Sequence, residues 1–189
     1  FYEVVIAPEY DPKALEVLRR RKNLRILKMP SSSVNHATLD LRPVAGGMLA
    51  QDSDISIEDV NSWKTVTSRF PTDQEKDDMS FAWQAAKHIK SNAIVVAKNK
   101  SLLGMGAGQP NRVISVRLAL EGASKKKAEG AVLASDAFFP FADSVETAAE
   151  GGVTAIIQPG GAIRDQESID SANQRGIAMV FTGRRHFRH

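Results

Sequence analysis

The 189 residues suffice for one domain, or for one domain with part of another, and the hydrophobic content of 42% supports a sizeable core. Because the chain has no cysteine, a disulfide framework, a thiolate nucleophile and a thiolate metal site are excluded. The net charge of +3 is spread over short basic groups, which favours a phosphorylated small molecule over nucleic acid as partner. We therefore expect a cytoplasmic protein, or an organellar one if a transit peptide precedes residue 1, without a membrane span.

The first third of the chain predicts a short α/β segment followed by a connector. Asp11 and Pro12 supply a helix N-cap and a first-turn proline. The predicted elements are a strand over 2–7, a helix over 12–22, a strand over 24–27, and a polar connector over 31–56 that contains a strand pair at 39–44 and 48–51.

The remainder alternates helices and strands. Thr72 and Glu75 form a capping-box pattern, so a helix over 72–88 is the clearest prediction. The elements predicted after it are strands over 93–97 and 102–105 around a turn at 99–100, a helix over 111–120, and strands over 131–134, 155–157 and 178–181 separated by helices over 145–150 and 165–175. This alternation predicts a mainly parallel sheet covered by helices on both faces, a three-layer α/β/α sandwich from about residue 66 onward.

An aromatic run, SDAFFPFAD at 135–143, follows the apolar strand at 131–134. Asp136 and Asp143 flank three phenylalanines, and the carboxyl ends of sheet strands are where open α/β sheets bind ligands. Core packing explains any single ring equally well. The carboxylates favour a pocket for a planar heterocycle.

Two glycine-containing segments are predicted at the same edge. GMGAGQPNR, at 104–112, precedes a helix whose amino terminus can bind an anion, with Gln109, Asn111 and Arg112 as further donors. It matches a dinucleotide fingerprint loosely, because no third glycine follows at the expected place. QPGGAIRD, at 158–165, leaves backbone groups bare at Gly160 and Gly161, although a plain βα turn is the simpler interpretation.

The chain closes with FTGRRHFRH, which mixes cations and aromatics directly after a predicted strand. Guanidinium groups suit phosphate recognition, and a nucleic-acid-binding tail is the alternative.

Lys87 and His88 look like an acid/base pair, but adjacent helical side chains point about 100° apart. The histidines lack metal-ligand spacing, so no metal is expected.

Five segments, KSNAIVVAKN, GMGAGQPNR, SDAFFPFAD, QPGGAIRD and RRHFRH, together resemble the carboxyl-terminal part of AICAR transformylase, one half of a bifunctional purine biosynthesis family that also carries IMP cyclohydrolase. The resemblance implies transfer of a formyl group from 10-formyltetrahydrofolate to AICAR, a purine-pathway ribonucleotide, in a homodimer. It also implies two cytidine-deaminase-like subdomains without zinc. Residues 1–65 would be the end of the first subdomain with the connector, and residues 66–189 the second.

Matching motif by motif, the resemblance assigns residues to each ligand. Those that would contact AICAR are Asn92, Arg112, Phe138 and Arg185, with Arg185 at the phosphate. Those that would hold the folate are Val113, Asp143, Gly160 and Gly161. Further candidates for lining the site are Gln109, Phe187 and His189.

The resemblance places the catalytic Lys-His pair of the family upstream, so no catalytic residue is assigned within this chain, and Lys87-His88 does not take that role. We expect the chain alone to have little or no formyl transfer activity. The competing hypotheses are a non-catalytic nucleotide- or folate-binding module and, resting on the basic tail, an RNA-binding domain.

Overall fold

The structure, a computed structural model, describes residues 2–30, 39–55 and 58–188. The chain forms two compact units, Phe1–Ile55 and Ser56–His189. Strand β5 (Lys64–Thr65) pairs within the second unit. The assignment of the units to two cytidine-deaminase-like subdomains stays a prediction.

The first unit contains two small sheets. Strands β1 (Val4–Ala7) and β2 (Arg25–Lys28) pair in parallel around helix α1 (Pro12–Arg19), whose N-cap Asp11 accepts hydrogen bonds from two backbone N–H groups. The second sheet is an antiparallel hairpin of β3 (Leu39–Val44) and β4 (Gly47–Asp52), which confirms the predicted strand pair.

The second unit is a six-stranded sheet with helices on both faces. After β5, its elements are α2 (Asp73–Ala86), β6 (Ile94–Lys98), β7 (Ser101–Gly106), α3 (Arg112–Ala123), α4 (Lys125–Ala128), β8 (Val132–Ser135), α5 (Asp143–Glu150), β9 (Ala155–Gln158), α6 (Asp165–Gln174) and β10 (Ala178–Phe181).

The strand order is β5-β10-β9-β8-β6-β7, and the sheet is mixed. Strands β8, β9 and β10 are parallel, whereas β5, β6 and β7 each pair antiparallel to a neighbour. The prediction of a mainly parallel sheet is therefore wrong. The predicted turn at 99–100 sets β6 antiparallel to β7, but a buried strand has the same continuous apolar sequence in either direction, so the sequence carried no signal for the direction of β6 relative to β8.

The three-layer α/β/α arrangement is confirmed by the two cores that sandwich the sheet. Helix α2 packs Met79 and Trp83 onto one face, against β6, β8, β9 and β10. Helices α3, α5 and α6 cover the opposite face around the fully buried Phe139 and Ile156. Burial of both faces explains why the central strands are apolar along their whole length.

The first turn of α2 is fixed by a buried carboxylate. Glu75 and the N-cap Thr72 form a reciprocal capping box, as predicted, and Glu75 also accepts from Arg69 Nη2 at 2.7 and 2.9 Å and from Thr154 Oγ1 at 2.7 Å. Burial acts to raise the pKa of Glu75, but the hydrogen bonds from Arg69, Thr72 and Thr154 outweigh it and lower the pKa below its ordinary value.

One edge of the sheet gathers most of the segments that the sequence singled out. Strands β7, β8, β9 and β10 run in a common direction, whereas β6 runs in the opposite one. The first residue of β6, Ile94, therefore pairs with Gly106 and Ser135 at the carboxyl ends of β7 and β8. The residues after β7, β8, β9 and β10 and those before β6 therefore meet at this edge.

Candidate functional site

A cleft of about 470 Å³ opens at this sheet edge. It is built from the segment before β6, the start of α3, the aromatic run after β8 and the terminal segment after β10. Its lining residues are Asn92, Pro110, Asn111, Arg112, Val113, Ala137, Phe138, Pro140, Phe141, Asp143, Ser144, Arg185 and Phe187.

Arg112, the first residue of α3, is the buried cation of the cleft and is 8% exposed. Its Nη1 donates to Asp136 Oδ1 and, at 2.9 Å, to Ser135 Oγ. Its Nη2 donates to Asn92 Oδ1 at 2.7 Å. A guanidinium held by three partners has one fixed orientation and cannot lose its charge, so it presents a constant positive group to the cleft.

Asn92 is fixed from several sides. Its Nδ2 donates to the Gln109 carbonyl at 2.8 Å, while its own carbonyl accepts from Ser115 Oγ at 2.8 Å. Asn92 therefore joins the segment before β6 to the loop that precedes α3 and to α3 itself. The predicted contact of Asn92 with a ligand would be made by a side chain that is already oriented.

The aromatic run divides between core and cleft. Phe139 is fully buried, and its N–H donates to Oε1 of the buried Gln158 at 3.1 Å. Phe138 is half-buried, Phe141 is 49% exposed, and both line the cleft. Tying the segment through Phe139 leaves its two neighbouring rings available to a ligand.

Arg185, in the terminal segment, completes a cationic and aromatic wall. Its guanidinium carbon lies 4.5 Å from the centroid of the Phe138 ring, a cation–π geometry, and Phe187 lines the same cleft. Two guanidinium groups and three phenylalanine rings thus face one cavity. The predicted site residue His189 lies outside the described residues.

Two helices begin at the cleft. Val113 is in the first turn of α3, where Asn111 caps the helix by accepting the Val113 N–H at 3.0 Å. Asp143 begins α5 and is exposed, with its Oδ1 accepting the Ser144 N–H at 2.7 Å. Two of the four predicted folate residues, Val113 and Asp143, therefore lie in the same cleft as the predicted nucleotide residues.

Three of the predicted site residues do not line the cleft. Gly160 is buried against the Phe181 ring, where an added Cβ would lie 2.4 Å from a ring carbon. Gly161 is exposed beside the cleft, with Arg185 Nη2 3.6 Å from the position of an added Cβ. Gln109 takes part through its carbonyl, while its side chain donates to the Ala107 carbonyl at 3.1 Å.

The glycines of GMGAGQPNR have a packing role that the sequence did not reveal. An added Cβ at Gly104 or Gly106 would lie 2.0 Å from a backbone oxygen of α3. These glycines let β7 and α3 approach closely, rather than opening the backbone to an anion. The anion site at this helix entry stays a prediction, for which Arg112 is the available cation.

Asp136 was expected to offer charge to a ligand, but it is 1% exposed and forms an ion pair with Arg112. Its second carboxylate oxygen accepts from Ser91 Oγ. Ser91 and Ser135 were not identified from the sequence, since single serines carry no positional signal. Arg164 was also missed, and its guanidinium carbon lies 5.1 Å from the Phe141 ring centroid.

A second cavity, of about 200 Å³, lies on the α2 side. Lys87 and His88 line it rather than the cleft, as do Glu58, Trp63, Trp83 and His186.

Across residues 2–30, 39–55 and 58–188 no cluster of three or more His, Asp or Glu side chains suitable for a metal occurs. In the same ranges no helix has the length and apolar character needed to cross a membrane.

Comparison with known proteins places the chain in a family. The AICARFT/IMPCHase bienzyme model matches residues 1–122. The whole chain is 54% identical over 192 residues to the bifunctional purine biosynthesis protein PurH of Streptococcus uberis, and 55% identical over 191 residues to that of Lactobacillus delbrueckii subsp. bulgaricus. The chain spans 37% of the length of each.

The fold places the chain among α/β/α sandwich proteins with a cleft at one edge of a mixed sheet, and the sequence matches define its family. The chain belongs to the AICARFT/IMPCHase bienzyme family. Among solved structures, RibD of Acinetobacter baumannii aligns with 56% of this chain and 33% of its own at 16% identity, with a TM-score of 0.36. A TM-score this low adds nothing to the fold assignment.

Proposed function

We propose that this chain forms the ligand-binding part of a formyltransferase of purine biosynthesis, which transfers a formyl group from 10-formyltetrahydrofolate to AICAR. The observation that carries the proposal is the single cleft that joins Arg112, Asn92, Phe138 and Arg185. An anionic, planar ribonucleotide needs a cation for its phosphate, a flat apolar surface for its base and fixed amide groups for its edge. The cleft supplies all three.

In this proposal Arg185 binds the phosphate, while Arg112 and Asn92 orient the base beside Phe138. Val113 and Asp143 hold the folate, with Gly160 and Gly161 at its margin. The amine of AICAR is a poor nucleophile because its lone pair is delocalised, so holding both reactants in one orientation contributes to the rate. The donor is a co-substrate, and no metal is required.

The competing candidate is a binding module without catalysis, and one observation favours it. Among the described residues that line the cleft, Asp143 is the one carboxylate, and neither lysine nor histidine is present. Proton transfer from the amine needs a general base within hydrogen-bond reach. The proposal therefore takes the acid/base pair from residues outside this chain, as the family resemblance implies.

Calorimetric titration and turnover assays separate these functions. We expect the chain to bind AICAR and a folate analogue but to transfer little or no formyl group alone. We also expect transfer by a chimera in which this chain replaces the matching segment of the Streptococcus uberis relative. Arg112→Ala in the chimera should abolish it. Binding by the chain with an inactive chimera would favour the module, and absence of AICAR binding would reject both.

A further inference from the structure

The terminal segment, residues 183–188, faces two cavities with neighbouring side chains. Arg185 and Phe187 line the cleft. His186, between them, lines the second cavity beside α2 and is 2% exposed. One short stretch of backbone therefore carries the phosphate-binding candidate on one side and a buried imidazole on the other.

The imidazole of His186 packs against specific residues on the α2 side of the sheet. Its ring centroid lies 4.5 Å from that of Trp83, with an angle of 51° between the planes, and its Nε2 lies 3.7 Å from Glu58 Oε1. The other Glu58 oxygen accepts the indole N–H groups of Trp83 at 3.0 Å and Trp63 at 3.3 Å. Two tryptophans thus fix the carboxylate that faces the imidazole.

The backbone around His186 is tied to the same residues that orient Arg112. The His186 N–H donates to the Asp136 carbonyl at 2.9 Å, and the Ser91 N–H donates to the Arg188 carbonyl at 2.8 Å. Asp136 and Ser91 are hydrogen-bonded to each other, and Asp136 also holds Arg112. Hydrogen bonds therefore connect the backbone that carries the imidazole to Arg112, which is proposed to orient the nucleotide.

We propose that His186 is a positioning residue for the cleft: its burial between Trp83 and Glu58 anchors the terminal segment so that Arg185 and Phe187 are held at the site before a ligand arrives. The ligand side of this inference rests on the proposed function. An unanchored arginine near a chain end loses rotamer and backbone freedom when it binds, and that loss weakens affinity. An anchored segment has already lost this freedom in the folded protein.

The simpler interpretation is that His186 only fills core space. In that case its replacement lowers stability without acting through Arg185, and the effects of two substitutions on AICAR affinity add. If His186 acts through Arg185, the effects do not add, because nothing remains to be positioned once the guanidinium is gone.

The test uses the 189-residue chain with His186→Leu, alone and in an Arg185→Ala background. AICAR affinity is measured by calorimetry, and trypsin cleavage after Arg184, Arg185 and Arg188 is followed by mass spectrometry without ligand. We expect His186→Leu to weaken AICAR binding about tenfold and to accelerate cleavage about tenfold. We expect no further loss of affinity in the Arg185→Ala background. His88→Leu, which alters an exposed histidine of the same cavity outside the segment, should match the wild type in both readouts.

Unchanged affinity and unchanged cleavage in His186→Leu overturn the proposal, as does an equal loss of affinity in both backgrounds. If the wild type binds no AICAR while His186→Leu is cleaved faster, the proposed function fails and the anchoring role stands. Should His186→Leu not fold, His186→Asn, which removes the ring but keeps a polar side chain, is judged by the same criteria.

Discussion

At the scale of single residues, the cleft depends on a buried ion pair. Arg112 is 8% exposed and Asp136 is 1% exposed, and each has further hydrogen-bond partners. A buried pair of this kind adds little stability by itself, because both charges lose their hydration. Its value here is orientation, since the carboxylate fixes the guanidinium and the Asp136 carbonyl fixes the His186 backbone.

Asp136→Asn leaves the Arg112 charge buried without its counter-charge. We expect the free energy of unfolding to fall by about 3 kcal/mol and AICAR affinity to fall with it. Urea unfolding and calorimetry measure the two effects. Asp170→Asn, on the exposed surface of α6, should change the free energy of unfolding by less than about 0.5 kcal/mol. Equal stability of the two variants would contradict this account of Asp136.

Glu75 gives the unfolding free energy a defined acid dependence. Its pKa in the folded state lies below the ordinary 4.5, so its contribution is complete above that pH and is lost as the pH falls through the folded pKa. Glu75→Gln should lower the free energy of unfolding by about 2 kcal/mol at pH 7, and the difference from wild type should shrink towards pH 3.

The matched control is Glu167→Gln, whose carboxylate is 48% exposed in its pair with Arg164. An exposed pair contributes about 0.5 kcal/mol, so this variant should stay close to wild type across the same pH range. A wild-type advantage over Glu75→Gln that does not change between pH 7 and pH 3 would refute the role given to the Glu75 charge.

At the scale of secondary-structure elements, β7 and α3 meet through glycines. An added Cβ at Gly106 would lie 2.0 Å from the Ser115 carbonyl oxygen, whereas one at Gly122 would meet its nearest atom at an ordinary 3.5 Å. Gly106→Ala should therefore cost about 3 kcal/mol of unfolding free energy. Gly122→Ala should gain about 0.5 kcal/mol, because alanine favours the helix. Thermal unfolding of both variants checks the opposite signs, and a Gly106→Ala variant as stable as wild type would be inconsistent with this packing.

The same elements show what the sequence could and could not predict. Helix α2 and the hairpin turn at Asn99 and Lys100 were predictable because capping boxes and turn residues act locally. The direction of β6 relative to β8 and the packing of Gly104 and Gly106 depend on distant parts of the chain, so no local pattern encodes them. The structure brings Asn92, Arg112, Phe138 and Arg185, which motif resemblance selected, into one cleft, while the ion pair of Asp136 with Arg112 was not identified from the sequence.

At the scale of the whole molecule, the cleft belongs entirely to the second compact unit, Ser56–His189. Self-association through a homodimer stays a prediction of the family resemblance, and sedimentation of the chain would test it.

The most direct test of the account is a crystal structure of this chain grown with AICAR. We expect one nucleotide in the cleft, with its phosphate on Arg185 and its base beside Phe138, Asn92 and Arg112. A nucleotide bound in the cavity formed by Glu58, Trp83 and His186, or elsewhere on the surface with the cleft empty, would contradict it.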